Sequence, residues 1–436
     1  MGAGEKRRRE GTMDMDRVRS AVLSRPAGSG RRRLRATFVA LLAGSLLFTA
    51  ACSDKSPSWQ GGSGSGSGGD SAAGTAESAA PSPTPTLSTV AVTSPKSAAT
   101  GVEAWSDVKY TSEDPENTTV KVTDSQGNEV KGTVDKDARV WRPSQSMTWG
   151  TKYTVTVSTP AAEGKSNETT SDFTVMTKPA NLVRVTSFLG DGQTVGVGMP
   201  LIIKFGRAIP EKYRAEVERR MAVTATPAQA GTWGWISSTE VHFRPKTYWK
   251  ANSKVFYKVQ LKGVKMGDGW YGRSDLTVDL KIGRSLIMTV SNKTKQMTVK
   301  RDGKVVKTLP VSLGKKGTPS SSGTMVVIEK KEHTVFDTTD TDPENGYKTN
   351  IDYAQRITWS GQFIHAAPWS EGQQGRNNVS HGCVNVSEAM GAWLFKQTMM
   401  GDVITVSGTE EKLKNGNGWT DWNISYDQFK KSSALS

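Results

Sequence analysis

Short runs in which apolar and polar residues alternate recur along most of the chain after residue 96. Residues 119–123, 152–157 and 172–176 alternate with a period of two, and turn-forming Ser, Gly and Asn residues separate the runs. This period is typical of strands with one buried face. Because the strands are short and closely spaced, residues 97–178 are predicted to form a small β-sandwich.

The same kind of pattern continues to about residue 283. Strands are predicted at 201–205 and 254–259, and the segment 211–221 places Tyr213 and Val217 on one face of a short surface helix. Residues 179–283 are therefore predicted to form a second β-rich domain.

A third unit, residues 284–407, combines strands with one helix. Asp302-Gly303 is a hairpin turn signal between two strands, and Ser387 can cap a helix whose apolar face is more typical of core than of a binding surface. Residues 408–436 contain four large aromatic residues, which predicts that this tail packs on the body of the protein: Trp419, Trp422, Tyr426 and Phe429.

The chain before residue 97 has a different composition. Residues 53–96 are rich in Gly and Ser and then in Pro and Thr, which predicts a flexible linker. Before it, four arginines precede the apolar run 36–51, which is short for a bilayer span of about 20 residues. The run ends in small residues before Cys52, as at a bacterial lipoprotein cleavage site. Residues 1–52 are therefore predicted to be a signal segment with Cys52 as the lipidated residue; an ordinary signal peptide or an uncleaved anchor is the alternative.

The positive charge of the chain is concentrated at its start. The net charge is +15, and residues 1–52 supply +7 of it, from 11 Lys and Arg against 4 Asp and Glu. Because the signal segment accounts for nearly half of the surplus, the charge does not favour a nucleic-acid partner.

The chain contains only two cysteines, and the second is the candidate for chemistry. If Cys52 carries lipid, Cys383 has no disulfide partner, and an unpaired thiol in an exported protein suggests reactivity. A buried structural thiol is the alternative. The neighbourhood favours reactivity, since two of the four histidines, His365 and His381, lie within 19 positions of Cys383.

A cysteine, a histidine and backbone amides together provide what acyl transfer requires. A thiol needs a base to become a nucleophile, and an imidazole can take its proton and later return it to a leaving amine. The developing oxyanion needs donors, for which the amides of Gly382 and Cys383 are candidates. Zinc binding would need a fourth ligand that is not evident, a redox sensor would need a resolving cysteine, and both histidines could instead be core residues. We expect no metal and no cofactor.

The run Ser380-His381-Gly382-Cys383-Val384-Asn385, preceded by His365, resembles the signature of L,D-transpeptidase catalytic domains. Resemblance extends upstream through 317–319, Tyr347 and 359–361. Residues 194–200 and 244–249 resemble the module that precedes the catalytic domain in actinobacterial members. The resemblance implies a mainly β protein: two immunoglobulin-like β-sandwich domains, then a β-sandwich catalytic domain with a short helix and an aromatic-rich C-terminal tail.

The resemblance also implies roles for individual residues. Cys383 matches the nucleophile and His365 the general base, while the backbone carbonyl of Ala366 orients that histidine. Family members frequently have Ser or Gly at the position of Ala366. The alanine is a departure from this pattern, without consequence if only the backbone carbonyl acts. His381 and Gly382 match the oxyanion segment. Five positions match residues that line the substrate cleft: Tyr347, Ser360, Gly361, Trp369 and Asn385.

The implied reaction joins peptidoglycan stem peptides by 3→3 cross-links, with release of D-alanine and with carbapenems as inhibitors. Hydrolysis by the same chemistry would give an L,D-carboxypeptidase, and a protein amine as acceptor would tether that protein to the wall. A non-catalytic wall-binding stalk is the alternative from another class. The predicted location is the extracytoplasmic face of the plasma membrane, where the lipid-anchored enzyme reaches into the cell wall.

Overall fold

Alternating residues form strands over most of the folded chain. The computed structural model describes residues 89–161, 165–337, 339, 344 and 348–436. The predictions for the signal segment 1–52 with Cys52, for most of the linker 53–96, and for Tyr347 lie outside the described residues. In the part that is described, no helix is both long enough and apolar enough to cross a bilayer.

The first domain is a sandwich of two four-stranded sheets, with strand orders β1-β3-β6-β5 and β2-β8-β7-β4. Its core contains Val122, Val155 and Val157, the inward residues of the alternating runs. The strands are β1 (Val90–Ser94), β2 (Ala99–Val102), β3 (Val108–Ser112), β4 (Thr119–Asp124), β5 (Gly132–Asp135), β6 (Val140–Pro143), β7 (Lys152–Pro160) and β8 (Ser166–Val175).

Strand β1 lies inside the segment predicted as a flexible linker, so the boundary at residue 96 was placed too late. Val90 and Val92 alternate with exposed residues and pack against the core of the first domain. The strand pairs antiparallel with β3, and Val90 lies opposite Ser112. The Pro- and Thr-rich sequence just before it masks this short alternating run.

The second domain contains three sheets and one helix. The sheet orders are β10-β12-β15-β14, β11-β19-β16-β13 and β17-β18-β9. Helix α1 (Glu211–Arg219) buries Val217 and ends two residues before the predicted limit. The strands are β9 (Leu182–Val183), β10 (Val185–Ser187), β11 (Thr194–Val195), β12 (Leu201–Phe205), β13 (Met221–Thr226), β14 (Gly231–Ser237), β15 (Glu240–Pro245), β16 (Lys254–Val259), β17 (Lys265–Gly267), β18 (Trp270–Gly272) and β19 (Leu276–Ile282).

The third domain has a six-stranded sheet, β22-β21-β20-β28-β23-β29, and a four-stranded sheet, β24-β25-β26-β27. Helix α2 (Glu388–Gln397) contacts β25 and β26, and its cap Ser387 accepts a hydrogen bond from the Met390 amide, as predicted. The strands are β20 (Leu286–Ser291), β21 (Gln296–Arg301), β22 (Lys304–Pro310), β23 (Ser321–Val326), β24 (Glu329–Asp337), β25 (Lys348–Arg356), β26 (Phe363–Ala366), β27 (Val384–Val386), β28 (Val403–Ser407) and β29 (Glu411–Lys412).

The second and third domains meet by close backbone contact. The amide of Gly196 donates to the Met400 carbonyl at 2.7 Å, and the amide of Gly198 donates to the Gly401 carbonyl at 2.9 Å. A Cβ at position 196 would lie 2.3 Å from the Asp402 nitrogen, so a larger residue there would push the two domains apart.

The C-terminal tail joins these same two domains. Trp419 is 4% exposed, and its ring makes edge contacts with Phe188 of the second domain and Trp359 of the third. Phe429, in helix α3 (Tyr426–Lys430), is 1% exposed, and Arg244 lies over its ring. The tail therefore packs on the body through its aromatic residues, as its composition predicted.

Candidate active site

Two neighbouring strands carry the residues of the predicted constellation. Strands β26 and β27 are parallel, with His365 opposite Asn385. Cys383 lies immediately before β27 and two positions before Asn385, so extending the alternation of this strand by one residue directs its side chain to the same face as His365. With strands about 4.8 Å apart and about 3.3 Å per residue, the Cα atoms of His365 and Cys383 are roughly 8 Å apart. Both side chains line one cavity.

The imidazole of His365 is held in one tautomer. Its Nδ1 lies 2.7 Å from the Ala366 carbonyl, which can only accept, so Nδ1 carries the proton and Nε2 has a free lone pair. The side chain is 5% exposed. Burial lowers the pKa of His365, against the opposing effect of the hydrogen bond to Ala366, so the ring is neutral at pH 7 and can act as a base.

The thiol of Cys383 is protonated in the resting structure. Burial raises its pKa to about 11, while a backbone hydrogen bond from Phe363 and the charge of Arg356 act in the opposite direction. The Sγ atom lies 3.9 Å from the Gly361 carbonyl, to which the thiol donates. At pH 7 the site therefore holds a neutral thiol and a neutral imidazole rather than an ion pair.

A hydrogen-bonded turn supports the cysteine from behind. The Ser380 hydroxyl donates to the Cys383 carbonyl at 2.7 Å and accepts from the Gly382 amide at 3.1 Å. A second hydroxyl, that of Ser320, lies 3.3 Å from the same carbonyl. These contacts fix the main chain on both sides of the nucleophile.

This turn changes the explanation for Gly382. Its amide is engaged with Ser380, so it is not aimed into the cavity as an oxyanion donor in this state. A Cβ at this position would meet nothing closer than 3.6 Å, whereas its φ of +116° is one that favours glycine. Backbone conformation, and not close approach, accounts for the glycine. The amide of Cys383 remains the predicted oxyanion donor.

The cavity has a volume of about 840 Å³ and combines aromatic, aliphatic and neutral polar walls. Trp369 is 62% exposed at its edge, with its ring centroid 6.0 Å from that of His365. Asn385 is buried and donates to Ser370, and its Oδ1 has no hydrogen-bond partner among the described residues. The lining residues are Phe336, Thr349, Ile351, His365, Trp369, Ser370, Gln373, Asn377, Val379, Ser380, His381, Cys383 and Asn385.

The structure brings some of the predicted cleft residues to this wall and not others. Trp369, Asn385 and His381 belong to it. Ser360 and Gly361 do not, although the Gly361 carbonyl contacts the sulfur. Within the described ranges, no group of three or more His, Cys, Asp or Glu side chains is arranged to hold a metal ion.

Residues outside the motif also reach the site. Arg356, at the end of β25, influences the thiol electrostatically, and Asn417 of the tail accepts from the Ser360 amide at 2.9 Å. Neither position carries a signal in the sequence, because strand pairing brings Arg356 beside Phe363 and tail packing brings Asn417 to Ser360. Ser380 is part of the signature run, but its two contacts are evident only from the structure.

Two protein families match the chain, each over one part of it. The bacterial Ig domain family matches residues 99–265, and the L,D-transpeptidase catalytic domain family matches residues 285–406. The second match contains the paired strands that carry His365 and Cys383.

Full-length relatives extend the similarity beyond single domains. L,D-transpeptidase 2 of Mycobacterium tuberculosis is 34% identical over 355 residues, which cover 79% of this chain and 84% of the relative. L,D-transpeptidase 5 of the same species is 32% identical over 326 residues, covering 72% and 70%. The solved LD transpeptidase LdtMt1 in complex with imipenem is 32% identical, with 52% of this chain and 100% of that chain covered and a TM-score of 0.45. The chain thus belongs to the L,D-transpeptidase family, acyltransferases that use a cysteine nucleophile.

Proposed function

We propose that this L,D-transpeptidase forms 3→3 cross-links between peptidoglycan stem peptides, with Cys383 as nucleophile and His365 as general base. One observation carries the assignment. The thiol and a neutral imidazole line the same cavity, and the hydrogen bond at Nδ1 leaves Nε2 as the basic atom.

The first half of the reaction forms a thioester. As Sγ of Cys383 attacks the carbonyl between the third residue and the D-alanine of a donor stem, its proton passes to Nε2 of His365. The carbonyl oxygen becomes an oxyanion, for which the Cys383 amide is the proposed donor. The C–N bond then breaks, the His365 imidazolium protonates the leaving amine, and free D-alanine departs.

The second half transfers the acyl group to an amine. The side-chain amine of an acceptor stem attacks the thioester carbonyl, and His365 takes the proton that this amine loses. The C–S bond breaks and the Cys383 thiolate is protonated, which restores the neutral pair. Trp369, which is 62% exposed at the edge of the cavity, provides an aromatic face for the stem peptides.

The reaction is tested by incubating the purified full chain with disaccharide tetrapeptides and identifying the products by mass spectrometry. We expect dimers with loss of one D-alanine per cross-link, and none from Cys383→Ala. Monomeric tripeptides without dimers would instead indicate an L,D-carboxypeptidase. If the wild-type chain converts no substrate under conditions where it is folded, the wall-binding stalk would be the better assignment.

Carbapenems are proposed as covalent inhibitors of the same sulfur. A relative was solved in complex with imipenem. Attack of the Cys383 thiol on the strained β-lactam carbonyl would open the ring and leave a stable thioester. Intact-mass spectrometry should detect one imipenem adduct on the wild type and none on Cys383→Ala.

We further propose that the enzyme is lipid-anchored through Cys52 at the extracytoplasmic face of the plasma membrane, from which it reaches into the cell wall. The basic and apolar run before the small residues that precede Cys52 supports this proposal. Cys52→Ala should release the protein from membranes while its activity on soluble substrate persists. Retention of this variant in the membrane fraction would rule out the lipid as the anchor.

A further inference from the structure

Arg356 is a half-buried cation whose charge acts on the nucleophile, and the sequence signature does not include it. It ends strand β25, where it pairs with Phe363 of β26 on one side and with Glu329 of β24 on the other. Its guanidinium lies 4.7 Å from the centroid of the Phe363 ring, and the side chain is 23% exposed. Phe363 belongs to the same small apolar cluster as Cys383.

The guanidinium also contacts the loop that touches the sulfur. Its Nη1 lies 3.4 Å from the carbonyl oxygens of both Thr358 and Trp359. This loop continues to Gly361, whose carbonyl accepts from the Cys383 thiol. The carboxylate of Glu329 lies 3.7 Å away, which is a long contact for an ion pair. Arg356 is therefore only partly neutralised by its counter-ion.

We propose that Arg356 is a positioning residue whose positive charge stabilises the Cys383 thiolate as it forms, and that its contacts with the loop that ends at Gly361 hold this charge in place. This inference rests on the proposed role of Cys383 and explains how a buried thiol is made reactive. Arg356 does not touch the substrate. Its charge acts on the Cys383 sulfur across strand β26, which carries Phe363, and the low local dielectric strengthens this electrostatic interaction.

The other charged and titratable groups near the sulfur do not supply this charge. His365 faces it from β26 and His381 from the turn before it, and burial lowers the pKa of both rings. The Lys315 ammonium lowers the pKa of His381 further. Both rings are therefore neutral at pH 7. Arg356 keeps its charge despite burial, because a guanidinium does not deprotonate in proteins.

The test compares three variants of the full chain: Arg356→Met, Arg356→Lys and Glu329→Gln. The rate at which iodoacetamide alkylates Cys383 is followed by peptide mass mapping from pH 7 to pH 10. Only the thiolate reacts, so at a fixed pH below the thiol pKa the rate follows the thiolate fraction. Thermal denaturation of each variant shows whether it is folded.

Arg356→Met should slow alkylation roughly 3- to 30-fold at every pH, because loss of a positive charge that lowers the pKa of Cys383 should raise that pKa by about one unit. Arg356→Lys keeps the charge without the planar fork and should remain within about threefold of the wild type. Glu329→Gln removes the opposing charge and should speed alkylation. A loss of packing alone would not move Arg356→Met and Glu329→Gln in opposite directions.

Two results would overturn the inference. One is an unchanged alkylation profile in a folded Arg356→Met variant, and the other is an equal slowing in Arg356→Lys and Arg356→Met. If Arg356→Met does not fold, Glu329→Gln decides the test. A Glu329→Gln variant that is alkylated no faster than the wild type would also overturn the inference. The outcome is separable from the proposed function, because alkylation reports the thiol alone, whereas cross-linking of tetrapeptides by the wild type reports the reaction.

Discussion

Removing the Ser380 hydroxyl should weaken both the fold around the nucleophile and its reactivity. In Ser380→Ala the Cys383 carbonyl loses its donor at 2.7 Å, and the Gly382 amide loses its acceptor at 3.1 Å. The site is buried, since Ser380 is 6% exposed, so water does not readily replace either partner. The Cys383 carbonyl then keeps only the longer contact with the hydroxyl of Ser320.

The magnitude follows from these two contacts. A net value of about 1 kcal/mol for each hydrogen bond gives a loss of about 2 kcal/mol in the free energy of unfolding. If the whole loss appeared in the transition state for acylation, the rate would fall about 30-fold, since about 1.4 kcal/mol corresponds to a factor of ten. Part of this loss also destabilises the ground state and does not change the barrier. We therefore expect the acylation rate to decrease roughly 3- to 30-fold.

Acylation by imipenem, followed by intact-mass spectrometry, measures the effect, and thermal denaturation measures stability. Ser320→Ala is the control, because it also loses two hydrogen bonds, a longer one of 3.3 Å to the same carbonyl and one of 2.9 Å from the Gly314 amide, but leaves the Gly382 amide engaged. The control should lose less acylation rate than Ser380→Ala. Equal rates in the two variants, or a wild-type rate in Ser380→Ala, would refute the argument that this hydroxyl orders the nucleophile.

Three further predictions concern the base, the tail and a buried histidine. His365→Ala should slow acylation by at least about 100-fold, the lower end for loss of a general base; a near-normal rate would remove His365 from that role. Trp419→Ala should lower the free energy of unfolding by about 3–5 kcal/mol, as expected for a buried Trp, and chemical denaturation would measure it. Burial lowers the pKa of His242, but Asp421 and Glu240 outweigh this and raise it to about 9. The stability from this raised pKa is complete below pH 6.5 and is lost as the pH rises through 9, so melting temperatures should fall over that range in the wild type and much less in His242→Gln.

The fold was predictable where local pattern and packing agree. The predicted strands at 201–205 and 254–259 coincide with β12 and β16, because β16 alternates buried and exposed residues and β12 is apolar except for Lys204. The long-range polar contacts were not predictable. His242 meets the carboxylate of Asp421 at 2.8 Å across 179 positions, and no local pattern encodes that distance. The tail was predicted to pack through its aromatic residues, but its buried ionic contact was not.

The candidate site divides in the same way. Cys383 and His365 were identified from residue type and spacing, since the chemistry needs a nucleophile and a base and the signature run is specific. Arg356 and Asn417 were missed, because they reach the site through strand pairing and tail packing. The Gly382 amide was a candidate oxyanion donor, and neither its hydrogen bond to Ser380 nor the positive φ of this residue is readable from residue type alone.

Burial explains both the resting state of the sulfur and the fate of the thioester. The same apolar surroundings that raise the pKa of Cys383 to about 11 keep bulk water away from the acyl group once it forms. The neutral thiol becomes a strong nucleophile only as it loses its proton to His365 during attack on a bound carbonyl. The reaction therefore begins only when a substrate occupies the cavity. The thioester is then more exposed to an amine delivered by a bound acceptor stem than to solvent. A cavity that raises the pKa of the free thiol therefore also favours acyl transfer to an amine over hydrolysis. The charge of Arg356 limits how much burial raises this pKa.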